Sequence, residues 1–313
     1  MPGSIRRTTT IDSTRPGEIL GDVVQFASGR DLYTALDGAV TVLAEVTVET
    51  LISYSNFYSL TAISSTPDRR ELQTLVGRSV STGFRAAMVD AVPDEHERAT
   101  LLHLLLDDLP GAALVSGYAI GAAGQMPERK PGQPVLQIEG LCAGFQAGGT
   151  IMNEVNAERR PPVVTGPVAT SIVSFDDLDA WHELRQMGPH DMRRWRCLDL
   201  IPGGAGEPAR VEIYFRDSHM GPEGLETVVH EYTVLTAVDI NTHTIVASGV
   251  TAHTLPWLEC IEAEASGDRL LGRSLRGLRQ GVRQEFVGIT TCTHLNDSMR
   301  SLEDVRALIP LLA

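Results

Sequence analysis

The sequence predicts an α+β protein built from two similar halves, each an antiparallel sheet with one or two helices. Runs rich in β-branched residues, such as residues 40–48, are typical of antiparallel strands. Segments with apolar residues at helical spacing follow these runs in both parts of the chain. An internally duplicated sheet with pseudo-twofold halves and an inserted middle segment is therefore the expected architecture.

The first half contains three predicted strands and two predicted helices. The strands are residues 6–12, 21–26 and 40–48. A helix is predicted over residues 78–89, because their apolar side chains fall on one face. A second helix is predicted to begin at Pro93 and to stop at Pro110, since proline suits a first helical turn and breaks a helix interior.

The second half repeats these elements in the same order. Four short matches relate the halves: residues 193–199 to 6–12 at an offset of 187, residues 233–238 to 41–46 at 192, residues 270–274 to 75–79 at 195, and His294 with Asp297 to His103 with Asp107 at 191 on the histidines. Because the offsets drift by only a few residues, the matches indicate an internal duplication whose halves pack as a pseudo-dimer.

The predicted boundaries place the first half at residues 1–123, the middle segment at 124–191 and the second half at 192–313. The middle segment opens with the polar, proline-rich residues 127–132 and continues with glycines and the large apolar residues Phe145, Met152 and Trp181. Two interpretations remain open: a lid over a pocket, or a segment that only packs and connects.

Composition excludes several classes of protein. The 313 residues are 42% hydrophobic and carry a formal net charge of −14, which argues against a nucleic-acid or anionic-membrane surface. The N-terminal residues lack the apolar core of a secretory signal, and no run approaches 18 apolar residues. The four cysteines are far apart and fit reduced thiols in a cytoplasm. The expected partner is a small molecule, with a homo-oligomer left open.

Residues 291–297 are the leading candidate for a functional site, because a thiol, an imidazole, an amide and a carboxylate fall within seven residues. The residues that follow have helical spacing, so the cluster is predicted at a helix N-terminus. Backbone N–H groups there favour a thiolate and lower a cysteine pKa. The alternative is structural: Asn296 or Asp297 caps the helix while Cys292 and His294 fill a core.

Two further groups of polar residues precede this stretch. Asp217, Ser218 and His219 stand before the turn signal of residues 220–224 and are predicted to lie at that turn. His230 and Tyr232 are predicted to share one face of a strand. His230 then serves as a general base and Tyr232 as a hydrogen-bond donor to an oxyanion.

The motifs of the second half resemble those of the bacterial domain of unknown function 2889 family. The residues that carry the resemblance are the Arg193-Arg194 start, His230-Glu231 before a strand, the isolated Cys260, and Cys292-Thr293-His294-Leu295. The resemblance covers about residues 193–305, and the first half resembles the family only as a degenerate copy. There Gly38 takes the place of the histidine, and no cysteine stands near His103. The resemblance implies no established activity and places any chemistry in the second half.

The leading functional hypothesis is a cofactor-independent acid/base enzyme of the lyase, hydratase or isomerase type. Its substrate is a mainly apolar, possibly aromatic, small molecule. The sequence has no GxGxxG after a strand and no P-loop, so no cofactor-binding residue and no metal ligand is assigned. The candidate catalytic residues are His294, His230, Tyr232, Asp297, Cys292 and Asp217.

Three alternatives stay open beside this hypothesis. A metal site formed by His230, Cys260, Cys292 and His294 would have ligand types that suit zinc. Cys292 with His294 as its base would perform nucleophilic thiol chemistry. A duplicated sheet-and-helix protein is also compatible with ligand binding or assembly without catalysis, because fold alone does not decide function.

Overall fold

The computed structural model describes residues 1–126, 138–158, 162–173, 177 and 179–312. Within them, eight strands form one antiparallel sheet in the order β4-β3-β2-β1-β5-β6-β7-β8. The strands are β1 (Ser4–Thr14), β2 (Val23–Thr34), β3 (Val40–Ser53), β4 (Ser59–Thr66), β5 (Met192–Ile201), β6 (Ala209–Met220), β7 (Glu226–Asp239) and β8 (Thr244–Thr254). Together with the helices, this sheet confirms the predicted α+β class.

The helices follow the strands of each half, and α5 lies in the middle segment. They are α1 (Phe84–Ala91), α2 (Pro93–Arg98), α3 (Leu101–Val115), α4 (Tyr118–Ala122), α5 (Thr150–Glu158), α6 (Leu278–Glu285), α7 (Thr293–Ser301) and α8 (Val305–Leu308). Two longer 3₁₀ segments, Arg70–Leu75 and Leu258–Leu270, precede α1 and α6. No helix in this described part of the chain is long and apolar enough to cross a membrane.

Two helix predictions for the first half were wrong at their boundaries. The predicted helix over residues 78–89 begins only at Phe84, after Gly83 in a left-handed conformation with φ of +78°, which glycine adopts readily. The predicted helix from Pro93 to Pro110 is split into α2 and α3, and α3 continues through Pro110 to Val115. Nearly every side chain of α3 is buried, so the packing of this helix outweighs the hydrogen bond that proline removes.

The strand order is symmetric about the contact between β1 and β5. Strands β2 and β6, and likewise β3 and β7, begin and end at an offset of 186 residues. The third strands of the two halves are therefore related by 186 residues, and the expected offset of 192 was wrong. The segments that follow the fourth strands are related by the expected 195 residues. Gly77 donates to the carbonyl of Leu60, and Gly272 donates in the same way to the carbonyl of Ile245.

Reciprocal ion pairs across the central strands reproduce this symmetry. Arg6 of β1 binds Asp199 of β5 at 2.7 and 2.8 Å, and Arg193 of β5 binds Asp12 of β1. The offset between these two pairs is the predicted 187. Because β1 and β5 are buried along almost their whole length, their arginines need charged partners.

Each half buries its own apolar core between the sheet and its helices. One core contains β2, β3, α1 and α3, and the other contains β6, β7, α6 and α7. The opposite face of the sheet is covered near its centre by the middle segment, where Trp181 packs on Trp195 at 5.0 Å between ring centroids. The other end of that segment contacts the second half, since Thr150 donates to Glu259 at 2.7 Å. The proline-rich residues 127–132 lie outside the described residues.

Candidate functional site

A cleft of about 990 Å³ lies between α3 and α4 of the first half, the middle segment, and α6 and α7 of the second half. Most of its wall is apolar and includes Tyr118, Phe145, Val164, Trp257 and Phe286. Polar side chains are contributed mainly by β5, β7 and α7. The cleft therefore offers an apolar volume that meets a group of charged and titratable residues, which is the usual make-up of a small-molecule site.

His230 and His294 line this cleft, and Asp217 is buried directly behind them. Asp217 of β6 stands directly opposite His230 of β7 in the sheet register, next to a β-bulge at Asp217/Ser218, so both side chains leave the same face. Helix α7 begins one residue before His294 and brings it over that face. The Asp217 Oδ2 atom lies 3.7 Å from His294 Nε2 and 3.9 Å from His230 Nδ1.

The expected turn at Asp217, Ser218 and His219 was wrong. All three residues belong to β6 and are buried, and the turn follows them, where Gly221 donates to the carbonyl of Leu225. The glycine and proline signal marks the end of the strand rather than its last residues. Asp217 consequently lies inside the protein, with no exposed surface.

The two histidines stack on each other. Their ring centroids are 3.7 Å apart and their planes differ by 19°. Burial lowers the pKa of His294 to about 3, with a further contribution from the charge of Arg194. Burial also holds the pKa of His230 well below its usual value, and the neighbouring His294 adds to this effect. Both imidazoles are therefore neutral at pH 7, and each ring keeps one unprotonated nitrogen.

Arg194 fixes the position of the carboxylate. Its Nε and one terminal nitrogen bind both oxygens of Asp217 at 2.9 and 3.0 Å, and the other terminal nitrogen binds Asp297 at 2.8 Å. Asp297 is also held by Arg300 at 2.7 Å, and these arginines keep the pKa of its carboxyl well below the usual range. Asp297, which was predicted as catalytic, lies at the cleft wall and binds the other side of Arg194.

Helix α3 of the first half packs directly against Arg194 and Asp297. Gly111 of α3 lies so close that a Cβ atom there would be 2.3 Å from Arg194 Nη1 and 2.6 Å from Asp297 Oδ2. Such approach requires a residue without a side chain. Neither Arg194 nor Gly111 was among the site residues predicted from the sequence. The Arg193-Arg194 pair was the available signal, since two arginines in a buried strand need acidic partners.

Cys292 and Tyr232 lie beside the histidines. Cys292 is the N-cap residue of α7, and its sulfur is 3.8 Å from His294 Nδ1. The expected lowering of the cysteine pKa was wrong: burial raises the pKa of Cys292 to about 11. Tyr232 is fully buried, and its hydroxyl interacts with the thiol of Cys292. It does not line the cleft, so a direct contact with a bound molecule is not available to it.

The ring geometry does not suit a metal ion at the histidine pair. In the described part of the chain, Asp217, His230 and His294 are the set that brings three ligand atoms within 4.8 Å of one another. An imidazole binds a metal along its own plane at about 2 Å, and two nearly parallel planes 3.7 Å apart do not meet at one ion. Cys260 and Cys292 of the expected His/Cys set are not members of this group.

Comparison with known proteins identifies a family for the second half. Residues 192–308 match the family described as "Protein of unknown function (DUF2889)". The resemblance of the second half to this family is thereby confirmed. No curated protein and no solved structure matches the chain. The DUF2889 region contains Asp217, His230 and His294, whereas α3, α4 and the middle segment, which complete the cleft, lie outside it.

The sheet register also corrects the position that corresponds to His230 in the first half. Asp31 stands opposite Ala44 in β2 and β3, as Asp217 stands opposite His230 in β6 and β7. Ala44, and not Gly38, is therefore the counterpart of His230. Gly38 has φ of +89° and lies in the turn between β2 and β3, where glycine is favoured.

Proposed function

We propose that this protein is an enzyme that moves protons on a mainly apolar small molecule bound in the cleft, without an organic cofactor. The reaction types that fit are those of a lyase, a hydratase or an isomerase. The observation that carries the proposal is a pair of stacked imidazoles at the wall of an apolar cleft, with one anchored carboxylate buried against them. Titratable groups gathered in such a cleft are typical of active sites.

His294 is the residue proposed to exchange the proton with the substrate. Its side chain is 22% exposed, against 10% for His230 and none for Asp217, so it is the member that a bound molecule reaches first. Asp217 stabilises the imidazolium that forms when His294 accepts a proton, because the carboxylate lies 3.7 Å from His294 Nε2. Such contacts tighten when substrate closes the site.

His230 and Arg194 are proposed to position His294 and Asp217. His230 packs flat against His294 and so limits the rotation of its ring. Arg194 holds both oxygens of Asp217, which keeps the carboxylate in one orientation. Asp297 and Cys292 are proposed to complete the polar part of the cleft wall, and Tyr232 to support it from the core.

The cleft wall indicates the kind of substrate. Aromatic and aliphatic side chains surround most of the volume, so burial of an apolar body supplies the binding free energy. The titratable groups are confined to one part of the wall, where a single carbonyl, hydroxyl or activated C–H group would be placed. We place this activity in the cytoplasm, since all four cysteines are free thiols.

The proposal is tested by hydrogen exchange, which does not require the overall reaction to be known. The full chain is incubated in D₂O with a panel of apolar aldehydes, ketones, hydroxy acids and phenols, and deuterium incorporation is followed by mass spectrometry. We expect enzyme-dependent exchange with at least one class, and a loss of about 100-fold or more in His294→Ala.

A matched variant separates catalysis from folding. His103→Ala removes a buried histidine of the first half that does not line the cleft. We expect it to retain exchange activity per folded molecule, as judged by circular dichroism. Ligand binding that persists in His294→Ala, without any exchange in the wild-type protein, would instead support a non-catalytic binding protein.

A further inference from the structure

Arginines dominate the charged part of the cleft wall. In the described part of the chain, the charged side chains that line the cleft are four guanidinium groups and one carboxylate: Arg85, Arg194, Arg283, Arg300 and Asp297. The whole protein carries a formal net charge of −14, so this excess of positive groups is opposite to the average composition. A cleft lined mainly by one sign of charge favours a ligand of the other sign.

Two of these arginines are engaged by carboxylates of the protein. Arg194 binds Asp217 and Asp297 through all three of its nitrogens. Arg300 binds Asp297 at 2.7 Å and Asp107 at 2.8 Å through its two terminal nitrogens. Although burial opposes the charged form, these acidic partners raise the pKa of Arg300. The charges of Arg194 and Arg300 are therefore balanced within the protein.

Arg85 of α1 presents a more open guanidinium group. Its Nε lies 3.0 Å from both the carbonyl oxygen and Oδ1 of Asp107. One terminal nitrogen lies 3.6 Å from Asp297 Oδ1, an oxygen that already accepts from Arg300. Neither terminal nitrogen of Arg85 has a hydrogen-bond partner among the described residues. The side chain is 22% exposed and lines the cleft, so a bound molecule can reach these nitrogens.

The charge of Arg85 is incompletely balanced by its surroundings. Burial lowers the pKa of Arg85, and the charge of Arg300 lowers it further, while Asp107 and Asp297 offset these effects only in part. Both carboxylates are shared, since Arg300 binds each of them. Burial of a guanidinium costs free energy unless the group is paired. An anion in the cleft would supply the missing negative charge.

We propose that the cleft binds the carboxylate of an apolar acid, with the two terminal nitrogens of Arg85 donating to its two oxygens. The guanidinium fork matches a carboxylate in shape and in the spacing of its donors. The apolar body of the acid then lies along the aromatic and aliphatic wall. A dianionic phosphate is less suited, because the carboxylates of Asp107 and Asp297 lie beside the same guanidinium and repel a second charge.

As a substrate site, this carboxylate position rests on the acid/base function proposed above, whereas binding of the acid does not depend on it. Arg85 lies next to Asp297, His294 lies next to Asp217, and Arg194 joins the two carboxylates. The bound carboxylate and the reacting group therefore occupy different places on the cleft wall. The substrate class is an apolar carboxylic acid whose reacting C–H, hydroxyl or carbonyl group lies several bonds from the carboxylate.

Calorimetric titration of the full chain at neutral pH tests the carboxylate position. The probes are naphthylacetate, its amide and naphthyl phosphate, which share one aromatic body and differ in the polar group. We expect the acid to bind about tenfold or more tightly than the amide, because its hydrogen bonds to Arg85 are charge-assisted. Arg85→Gln should weaken binding of the acid about tenfold or more and leave binding of the amide within about threefold.

Arg283→Gln is the matched control. Arg283 lines the same cleft, but it is exposed, where water and salt screen its charge. We expect this variant to bind the acid within about threefold of wild type. Arg85→Lys keeps the charge without the fork, so it should bind the acid more weakly than wild type and still prefer it to the amide. Circular dichroism verifies folding, and the comparison of acid with amide in wild type needs no variant.

Several outcomes would overturn the carboxylate position. They are equal binding of acid and amide by wild type, binding of neither, and equal affinity of Arg85→Gln and Arg283→Gln for the acid. Tighter binding of naphthyl phosphate than of the acid would assign the position to a phosphate ester instead. A preference for acids without deuterium exchange in any acid would support the position and remove the proposed reaction. Exchange confined to uncharged compounds, without a preference for acids, would do the reverse.

Discussion

The two halves of the sheet carry the same buried ion pair in different surroundings. Arg7 binds both oxygens of Asp31 at 2.7 Å in the first half, as Arg194 binds Asp217 in the second. Opposite Asp31 stands Ala44, and opposite Asp217 stands His230. The ion pair is therefore part of the shared framework, and the histidines distinguish the half proposed to act on a substrate.

The helices that follow the strands of each half also differ, because their first residues lie in different surroundings. Helix α3 begins with leucines that pack into the first core, whereas α7 begins with Thr293 and His294 at the cleft. Arg7 is held on its second side by Asp304, and neither Arg7 nor Asp31 lines the cleft. The ion pair of the first half is thus enclosed, whereas Arg194 of the second half reaches the wall of the cleft.

The largest expected effect separates the two carboxylates. Asp217→Asn should lower deuterium exchange about 100-fold or more, because an amide does not stabilise an imidazolium. Asp31→Asn should leave exchange per folded molecule within about threefold of wild type. Each substitution removes the negative charge that pairs with a buried arginine. Each variant should therefore lose about 3 kcal/mol of unfolding free energy in urea titrations. Equal losses of activity in the two variants would remove the distinction between the halves.

A smaller effect is expected when α3 is pushed away from the ion pair. Gly111→Ala places a methyl group against Arg194 and Asp297, and a displacement of about 1 Å at a site can lower the rate about 100-fold. We expect a loss between about tenfold and 100-fold in exchange. Gly281→Ala in α6 is the control, since its nearest contact is the flexible end of Arg273 at 3.3 Å. Unchanged exchange in Gly111→Ala would show that this close approach does not position Arg194.

A histidine on the opposite face of the sheet predicts how the stability of the protein depends on pH. His182 is held between Thr8 and Thr10 at 2.9 Å each, and the symmetric positions in β5 are the apolar Trp195 and Cys197. Burial lowers the pKa of His182 to about 4, and the charges of Arg30 and Arg193 contribute. In the unfolded chain the His182 side chain takes up a proton near pH 6.5, and in the folded chain only near pH 4. The free energy of unfolding therefore falls as the pH drops through this range.

The contribution of His182 to this fall is about 2–3 kcal/mol. We expect His182→Gln to have a smaller decrease in unfolding free energy between pH 6.5 and pH 4 than wild type, measured by urea titration at each pH. Other buried histidines contribute equally to both proteins, so the difference isolates His182. Parallel pH curves for the two proteins would contradict the assignment.

The smallest expected effect concerns the surface after the fourth strand of each half. Arg273 forms a partly exposed ion pair with Glu285 at 2.6 Å, and its counterpart Arg78 is exposed. Exposed ion pairs contribute about 0–1 kcal/mol. Arg273→Ala and Arg78→Ala should therefore differ by less than about 1 kcal/mol in thermal or urea unfolding. A larger difference would indicate that this pair supports α6 more strongly than its exposure suggests.

The sequence by itself was sufficient for the features that depend on local pattern. Strand-like runs predicted β1, β2, β3, β5 and β7. Four short matches in the same order predicted a duplication, and the Arg-Arg match gave its offset of 187 between β1 and β5. A helix was also predicted at residues 291–297, because apolar spacing is a local property, but its N-cap is Cys292 and not Asn296 or Asp297. Asp217, His230 and His294 are all candidate residues on the sequence alone.

Tertiary structure alone decided which of these residues meet and in what state. Residues 217, 230 and 294 are far apart in the chain, and only the strand register and the docking of α7 bring them together. Burial, which no sequence pattern reports directly, raised the pKa of Cys292 instead of lowering it. Burial of its side chains also stabilises α3, which continues through Pro110 to Val115. The physical reason is common to these cases: desolvation and packing depend on neighbours from distant segments, so they follow from the fold and not from local sequence.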